Sequence, residues 1–490
     1  MDSVAARALE REHPDLVPLI RTGWGYYGTV AGLLALIVLG GYTYIRQWIE
    51  GLAITGMNVP VSWGLYIVNF VFFVGLSAGG ILVAALAHAV GVERLKPIGR
   101  VAELGAISCL ILAAIFVFLD LGRPDRWYHL LLYARFQSPL IWDFAIVAIY
   151  LAIAMALGYF STRADLVRCM EALPRRRALY RLLCLGYVDV SPPALARDRR
   201  TLKVLAVASI PAAVLLHSIT AWLFGLLKAH PGWHSALLAP LFIVSASVSG
   251  LAMVIVALVV ARRFLRVAVQ DDVIHDLGRV LVLAIPVLGY FLFAEMLTVL
   301  YAGEPAPLSV FQEMMFGRYA PIFWFNLMLG LLLPILLLWR PPRWAVATVG
   351  IPAVLLLSLV PYQLQLAIPT PLGRFFPYVL GIFLPAWMEY TLIGLLTIVL
   401  PLLLLAGPRL RTVDRIGCAA GLVVLGVLAE RANIVLPPLL KTLLPYPAGS
   451  YTPTTPELLI LLGAYSIGGL AFVLLAKLFP LVEAHPAAEG

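Results

Sequence analysis

Apolar stretches long enough to cross a bilayer recur along almost the whole chain, and nothing else narrows its fold so far. A spanning helix needs about 20 mostly apolar residues, because lipid offers no partner to an unpaired backbone group. Runs of that kind lie at 24–45, 64–90, 102–120, 140–160, 205–227, 235–260, 281–301, 321–339, 344–360, 383–406, 415–435 and 457–480. Pro, Gly and charged residues gather between them, where turns belong. Only 12% of the 490 residues are charged, about half the share in a soluble domain, so a water-soluble core of this size would lack polar surface to cover it. The pattern predicts an all-α integral membrane protein, a bundle of about 12 transmembrane helices.

The net charge of +9 raises the question of nucleic acid. The basic residues sit in short segments between apolar runs, which is the signature of membrane topology instead, and no nucleic-acid partner is expected. The longest such segment, 161–204, carries Arg175, Arg176, Arg177, Arg181, Arg197, Arg199, Arg200 and Lys203 and suits a solvated cytoplasmic loop near anionic lipid headgroups. Loops on the N-terminal side of the membrane hold well over twice the Lys and Arg of those opposite, which predicts both termini in the cytoplasm. The polar first 23 residues precede an apolar run long enough to span, so no cleavable signal peptide is expected.

An ungapped shift of 68 residues superposes Pro369 on Pro437, Pro377 on Pro445, Tyr378 on Tyr446, Gly381 on Gly449, Pro385 on Pro453 and Glu389 on Glu457. The last two helical hairpins thus read as a duplication. The chain divides into a cytoplasmic segment 1–23, a membrane core 24–339, an extra hairpin 340–410, and a C-terminal hairpin with its tail at 411–490.

Ionisable groups inside lipid cost several kcal/mol unless paired or hydrated, so they mark candidate sites. Asp120 closes the third run and Asp143 opens the fourth, both at the outer face. Asp120-Leu121-Gly122-Arg123-Pro124 and Ser138-Pro139-Leu140-Ile141-Trp142-Asp143 lie between. Two carboxylates and an arginine can lock such a turn by pairing, or form a polar pocket in which an Asp takes a proton from a bound hydroxyl. Tyr66 and Asn69, three apart at the outer start of the second run, share a helix face and can hydrogen-bond a carbonyl or hydroxyl at that depth. Gly75, Ser77, Ala78, Gly79 and Gly80 follow and suit close helix packing, or a smooth slot for a flat ring or isoprenoid tail.

Deeper lie His217, Glu295 near the middle of its run, and Glu430 with Arg431; His88 and Glu103 are near the inner face. His217, Glu295, Glu103 and His88 are candidates for a proton path, with packing as the alternative for each histidine. Cys109, Cys169, Cys184 and Cys418 are scattered without a CxxC, and the histidines offer no pair at one depth for haem. A subunit without haem, iron–sulfur cluster or metal of its own is expected.

The blocks Val59–Gly80, Asp120–Pro124 and Ser138–Asp143 resemble the NrfD/PsrC family of membrane quinone-oxidoreductase subunits, in an order and spacing similar to the longer members of alternative complex III and the hydrogenase-associated type. Gly232-Trp233-His234-Ser235, Ser249-Gly250-Leu251-Ala252-Met253 and Lys477-Leu478-Phe479-Pro480 extend the likeness. The resemblance implies a multi-pass subunit of the bacterial inner membrane that binds menaquinone or ubiquinone near the outer face. It implies an extracytoplasmic ferredoxin-like iron–sulfur partner, and beyond it a molybdopterin, hydrogenase or multihaem catalytic subunit. By motif position Tyr66, Asn69 and Arg123 would bind quinone, and Asp120 and Asp143 would be catalytic at its head group. Alternative complex III members carry His at the position of Asp120, and members of this length have about ten spans, which makes 340–410 the insertion. Two other classes fit a polytopic chain with a repeat, a secondary transporter and a structural anchor. The repeat covers only the last third and the polar cluster sits at one face, which favours the redox subunit over a transporter.

Overall fold

The computed structural model describes residue 19 and residues 23–264, 269–339, 412–441, 443 and 449–479. The runs expected at 344–360 and 383–406, and with them the first copy of the repeat, lie outside these residues. Among the described residues ten helices are long and apolar enough to span a membrane. They are α1 (Trp24–Glu50), α2 (Leu65–Ala85), α3 (Lys96–Asp120), α4 (Pro139–Ala172), α5 (Pro192–Gly225), α6 (Leu238–Phe264), α7 (Asp271–Ala302), α8 (Ala320–Trp339), α9 (Thr412–Leu440) and α10 (Thr455–Leu478). The chain is an all-α integral membrane protein.

Helix α2 is the axis of the bundle. Nearly every residue from Tyr66 to Ala85 is buried, and α2 packs most extensively on α3 and α6, then on α5 and α9. Lipid tails are as apolar as leucine, so membrane helices associate through close backbone packing rather than by escaping water. The small-residue stretch of α2 provides that closeness. A Cβ added to Gly79 would overlap the Gly250 carbonyl carbon of α6, and one on Gly80 would overlap the Ala102 oxygen of α3. Close packing is therefore what Gly79 and Gly80 do.

Elsewhere α4 pairs with α5, and α10 packs along α1 and against α3. The C-terminal hairpin, set apart in the sequence, is thus built into the same bundle as 24–339. The helices alternate in direction, so one end gathers the starts of α2, α4, α6, α8 and α10 with the finishes of α1, α3, α5, α7 and α9. This is called the site end below.

The basic segment 161–204, expected as a loop, is largely helical. Helix α4 continues to Ala172, a short helix covers Arg177–Leu183, and α5 starts at Pro192. Hydropathy detects only the apolar part of a helix, whereas these extensions are held by polar pairing. Arg163 is bound by Asp198, with Nε to Oδ2 at 2.6 Å, and its guanidinium lies over the Tyr187 ring at 4.0 Å.

Candidate functional site at one end of the bundle

Four packed helices, α2 to α5, bring the sequence candidates to the site end. Asp143 lies in the second turn of α4, whose start is set by an extended Ser138 followed by Pro139. Pro suits that first helical position because its missing N–H has no intrahelical partner there. Asp143 is buried, and its Oδ1 accepts from the Thr220 hydroxyl of α5 at 2.6 Å. One turn further along α5, Phe224 packs edge-on to Trp63 and Trp233, with ring centroids 5.5 and 5.2 Å away.

Tyr66 and Asn69 are both buried on the opening turns of α2. The Tyr66 hydroxyl donates to Gln47 Oε1 at 2.7 Å, and Gln47 Nε2 donates to the Leu119 carbonyl at 2.8 Å. Tyr66 is thereby fixed between α1 and the finish of α3. Asn69 donates to the Leu65 carbonyl at 2.8 Å and accepts from the Tyr465 hydroxyl of α10 at 2.5 Å.

Asp120, the last residue of α3, has its Oδ1 buried without a hydrogen-bond partner among the described residues. The two aspartates do not meet on one turn: Asp120 faces the α1, α2 and α10 side, and Asp143 lies between α4 and α5. Nor does Arg123 hold Asp120. Its guanidinium is exposed and takes Asp125 in a fork, Nε to Oδ1 at 3.1 Å and Nη2 to Oδ2 at 3.0 Å. The Arg123 hydrogen bonds hold the Asp125 carboxyl below the usual carboxylate range. Two residues of separation make Asp125 the easier partner.

The segment before α10 adds residues that sequence reading did not single out. Thr454 caps α10 and donates to the Ile54 carbonyl at 2.8 Å. Tyr451 donates its hydroxyl to Glu457 Oε1 and accepts the Leu65 N–H at 2.9 Å; Glu457 Oε2 accepts the Gly56 N–H at 3.2 Å. Glu457 is fully buried and lies within electrostatic reach of Asp120 and Tyr66. Burial and the charge of Glu457 push the Tyr451 hydroxyl well above the ordinary phenol range, so it stays a donor. The Glu389–Glu457 correspondence in the repeat was the one signal pointing to Glu457. Thr220 and Tyr465 carried none beyond being polar in apolar runs, and Gln47 falls just past the end of the first run.

The deeper and inner-face polar residues fall into separate groups. Glu295 is not at mid-span: Ser235, in the turn before α6, donates to its Oε2 at 2.7 Å, which places it near the site end. His217 Nδ1 bonds the Ala213 carbonyl of its own helix at 2.7 Å. It lines a cavity of about 90 Å³ between α2, α5 and α6, together with Ala78, Ser209, Ala246 and Ser247. His88 and Glu103 do pair, at 3.2 Å, but at the opposite end, where Ser161 donates to Glu103 at 2.5 Å and Arg100 pairs with Asp165. Glu430 and Arg431 are wholly buried neighbours 3.5 Å apart; Ser245 donates to Glu430 at 2.8 Å, and the guanidinium lies 4.2 Å from the Phe242 ring centre.

Comparison with known proteins matches residues 53–367 to the family described as polysulphide reductase, NrfD. A putative dimethyl sulfoxide reductase membrane subunit of Halobacterium salinarum is 38% identical over 323 residues, covering 65% of this chain and 70% of that protein. A selenate reductase subunit of Mesobacillus selenatarsenatis is 32% identical over 321 residues, 64% of this chain and 74% of the relative. The Hdr-like menaquinol oxidoreductase integral membrane subunit of Archaeoglobus fulgidus is 29% identical over 318 residues, 64% and 71% of the two chains. The matched region holds Tyr66, Asn69, Asp120 and Asp143; Gln47 precedes it, and Tyr451, Glu457 and Tyr465 follow it. With well over half its length matched to the family model, this chain belongs to the NrfD polysulphide reductase family of membrane proteins.

Proposed function

We propose that the chain is the quinone-binding membrane subunit of a multi-subunit oxidoreductase in the bacterial inner membrane. It exchanges electrons between the quinone pool and an extracytoplasmic iron–sulfur subunit, which serves a catalytic subunit. The names of its relatives support this reading, since they include a menaquinol oxidoreductase subunit and subunits of dimethyl sulfoxide and selenate reductases.

The observation that carries it is Asp143. A carboxylate buried at the end of a membrane bundle, bound by a single hydroxyl from Thr220, is a base that lipid itself cannot supply. Oxidising a quinol breaks two O–H bonds and releases two protons and two electrons. The site therefore needs acceptors within hydrogen-bond reach of the ring oxygens. Asp143 takes one proton and Asp120, with its unpartnered oxygen, takes the other. In this reading Tyr66 and Asn69, on the opening turns of α2 at the same end of the bundle, orient the ring. In quinone reduction the same groups return the protons.

Purification of the complex from native membranes tests the reading. Quinone should be extractable from it, and subunits with iron–sulfur signals should accompany the chain. A chain that purifies alone and quinone-free from membranes rich in both would overturn it.

A further inference from the structure

The cavity beside His217 lies deeper in the bundle than the site end and takes no part in the chemistry described there. His217 precedes the finish of α5 at Gly225 by about 12 Å of helix, at 1.5 Å per residue. Leu82 of α2 and Ile210 and Val214 of α5 line the cavity and are exposed, so it opens sideways to lipid. The small side chains of Ala78 and Ala246 leave the room.

The polar side chains that line it, His217, Ser209 and Ser247, present acceptors only. A carbonyl cannot donate, so the 2.7 Å contact between His217 Nδ1 and the Ala213 carbonyl puts the ring proton on Nδ1. Nε2 of the neutral ring then offers a lone pair. It is buried without a hydrogen-bond partner among the described residues. The Val74 carbonyl near the ring is another acceptor, and it already takes the Ser77 hydroxyl at 2.7 Å. Ser209 and Ser247 donate their hydroxyl protons to the carbonyls of Ala206 and Ile243, at 2.7 and 2.8 Å. What this cavity lacks is a donor.

We propose that it binds the hydroxyl edge of a quinol arriving from the lipid, in preference to the oxidised quinone, at a site apart from Asp143 and Asp120. The inference rests on the quinone reading above and adds a second pocket to it. A quinol brings the O–H that His217 Nε2 is missing. A quinone brings two carbonyl oxygens, which meet only acceptors and leave Nε2 unpaired. The size agrees. A cavity of about 150 Å³ encloses a benzene ring, and one water takes up about 30 Å³. The cavity of about 90 Å³ is therefore too large for a single water and admits a hydroxyl with the adjoining edge of a ring. The rest of the ring and the isoprenoid tail stay in lipid beside Leu82, Ile210 and Val214. The event is binding alone: no bond forms or breaks, and the proton stays on the quinol.

Equilibrium binding to the purified, quinone-depleted complex tests this, with a short-chain quinol kept reduced and the matching quinone as probes. The quinol should bind at one site more per chain than the quinone, whose affinity for the second site should be at least roughly tenfold lower. His217→Phe keeps a ring and removes the acceptor, and it should abolish the extra quinol site. Ser247→Leu fills the cavity and should do the same, and it carries the test if His217→Phe does not assemble. Equal numbers of sites for the two forms would overturn the proposal, since the cavity then holds water or a lipid chain, or does not tell the forms apart. An extra quinol site that survives in whichever variants assemble would overturn it as well. Failure of both forms to bind anywhere would instead bring down the quinone reading itself.

Discussion

The Tyr465 hydroxyl of the last helix donates to Asn69 Oδ1 of the second, at 2.5 Å, and its ring packs on Phe73 and Phe116 at 5.2 and 6.1 Å. Asn69 thus has both amide atoms engaged, its nitrogen by the Leu65 carbonyl and its oxygen by Tyr465. Tyr465→Phe would keep the ring contacts and leave a buried carbonyl oxygen unpaired, a cost of about 1–3 kcal/mol. If Asn69 orients the quinone ring, that cost falls on substrate positioning. The KM for quinol should rise roughly fivefold or more, with the complex intact. Unchanged kinetics would make the contact a packing feature only.

How much of this was readable beforehand differs from residue to residue. The helices were, because lipid allows few solutions and an apolar run of the right length announces itself. The placing of Asp120, Asp143, Tyr66 and Asn69 at one end of the bundle was also readable, because polar groups at the ends of apolar runs stand out. Their partners were not. Thr220 and Gln47 look like ordinary helix residues until α5 is laid beside α4, and α1 beside α3. Arg123 misled because sequence proximity offers two carboxylates, and only the turn geometry selects Asp125. Glu295 misled because the group that fixes its depth, Ser235 in the turn before α6, lies sixty residues away in the sequence.

The distribution of basic residues predicts that the segment 161–204 faces the cytoplasm. A cysteine placed in it, for example at Arg199, which is exposed, should resist a membrane-impermeant thiol reagent in intact cells and react after permeabilisation. Labelling in intact cells would reverse the orientation and move the site end to the cytoplasmic face, away from any extracytoplasmic partner.

Among the described residues Glu295 and His217 each take a separate partner, Ser235 for one and the Ala213 carbonyl for the other. In Glu295→Gln the side chain still presents an oxygen to the Ser235 hydroxyl. Quinol turnover and proton release should stay close to those of the parent. A clear fall in either, in an assembled complex, would put Glu295 on a proton path.

The Glu430–Arg431 pair has no exposed atom to rehydrate. Breaking such a pair leaves a lone buried charge, which typically costs about 3–5 kcal/mol, whereas removing both charges is far milder. Arg431→Met should markedly lower the thermal stability of the purified complex, and Glu430→Gln added to it should recover much of the loss. No recovery in the double variant would mean that Arg431 acts through its packing on Phe242, 4.2 Å away.

The decisive variant is Asp143→Asn. The Asn amide oxygen can still accept from Thr220, and its size matches the carboxylate, so the α4–α5 contact should survive and the complex assemble. Only the ability to take a proton is lost. General-base contributions are commonly a hundredfold or more, so quinol-dependent electron transfer to the iron–sulfur partner should fall by roughly that factor. Asp120→Asn should weaken it less, because Asp143 still takes one of the two protons. Thr220→Val serves as the control. It removes the hydrogen bond at 2.6 Å and keeps the carboxylate, so it should disturb the rate less than Asp143→Asn does. If both aspartate variants assemble with parent quinol kinetics, Asp143 merely fastens α4 to α5 and the quinone binds elsewhere.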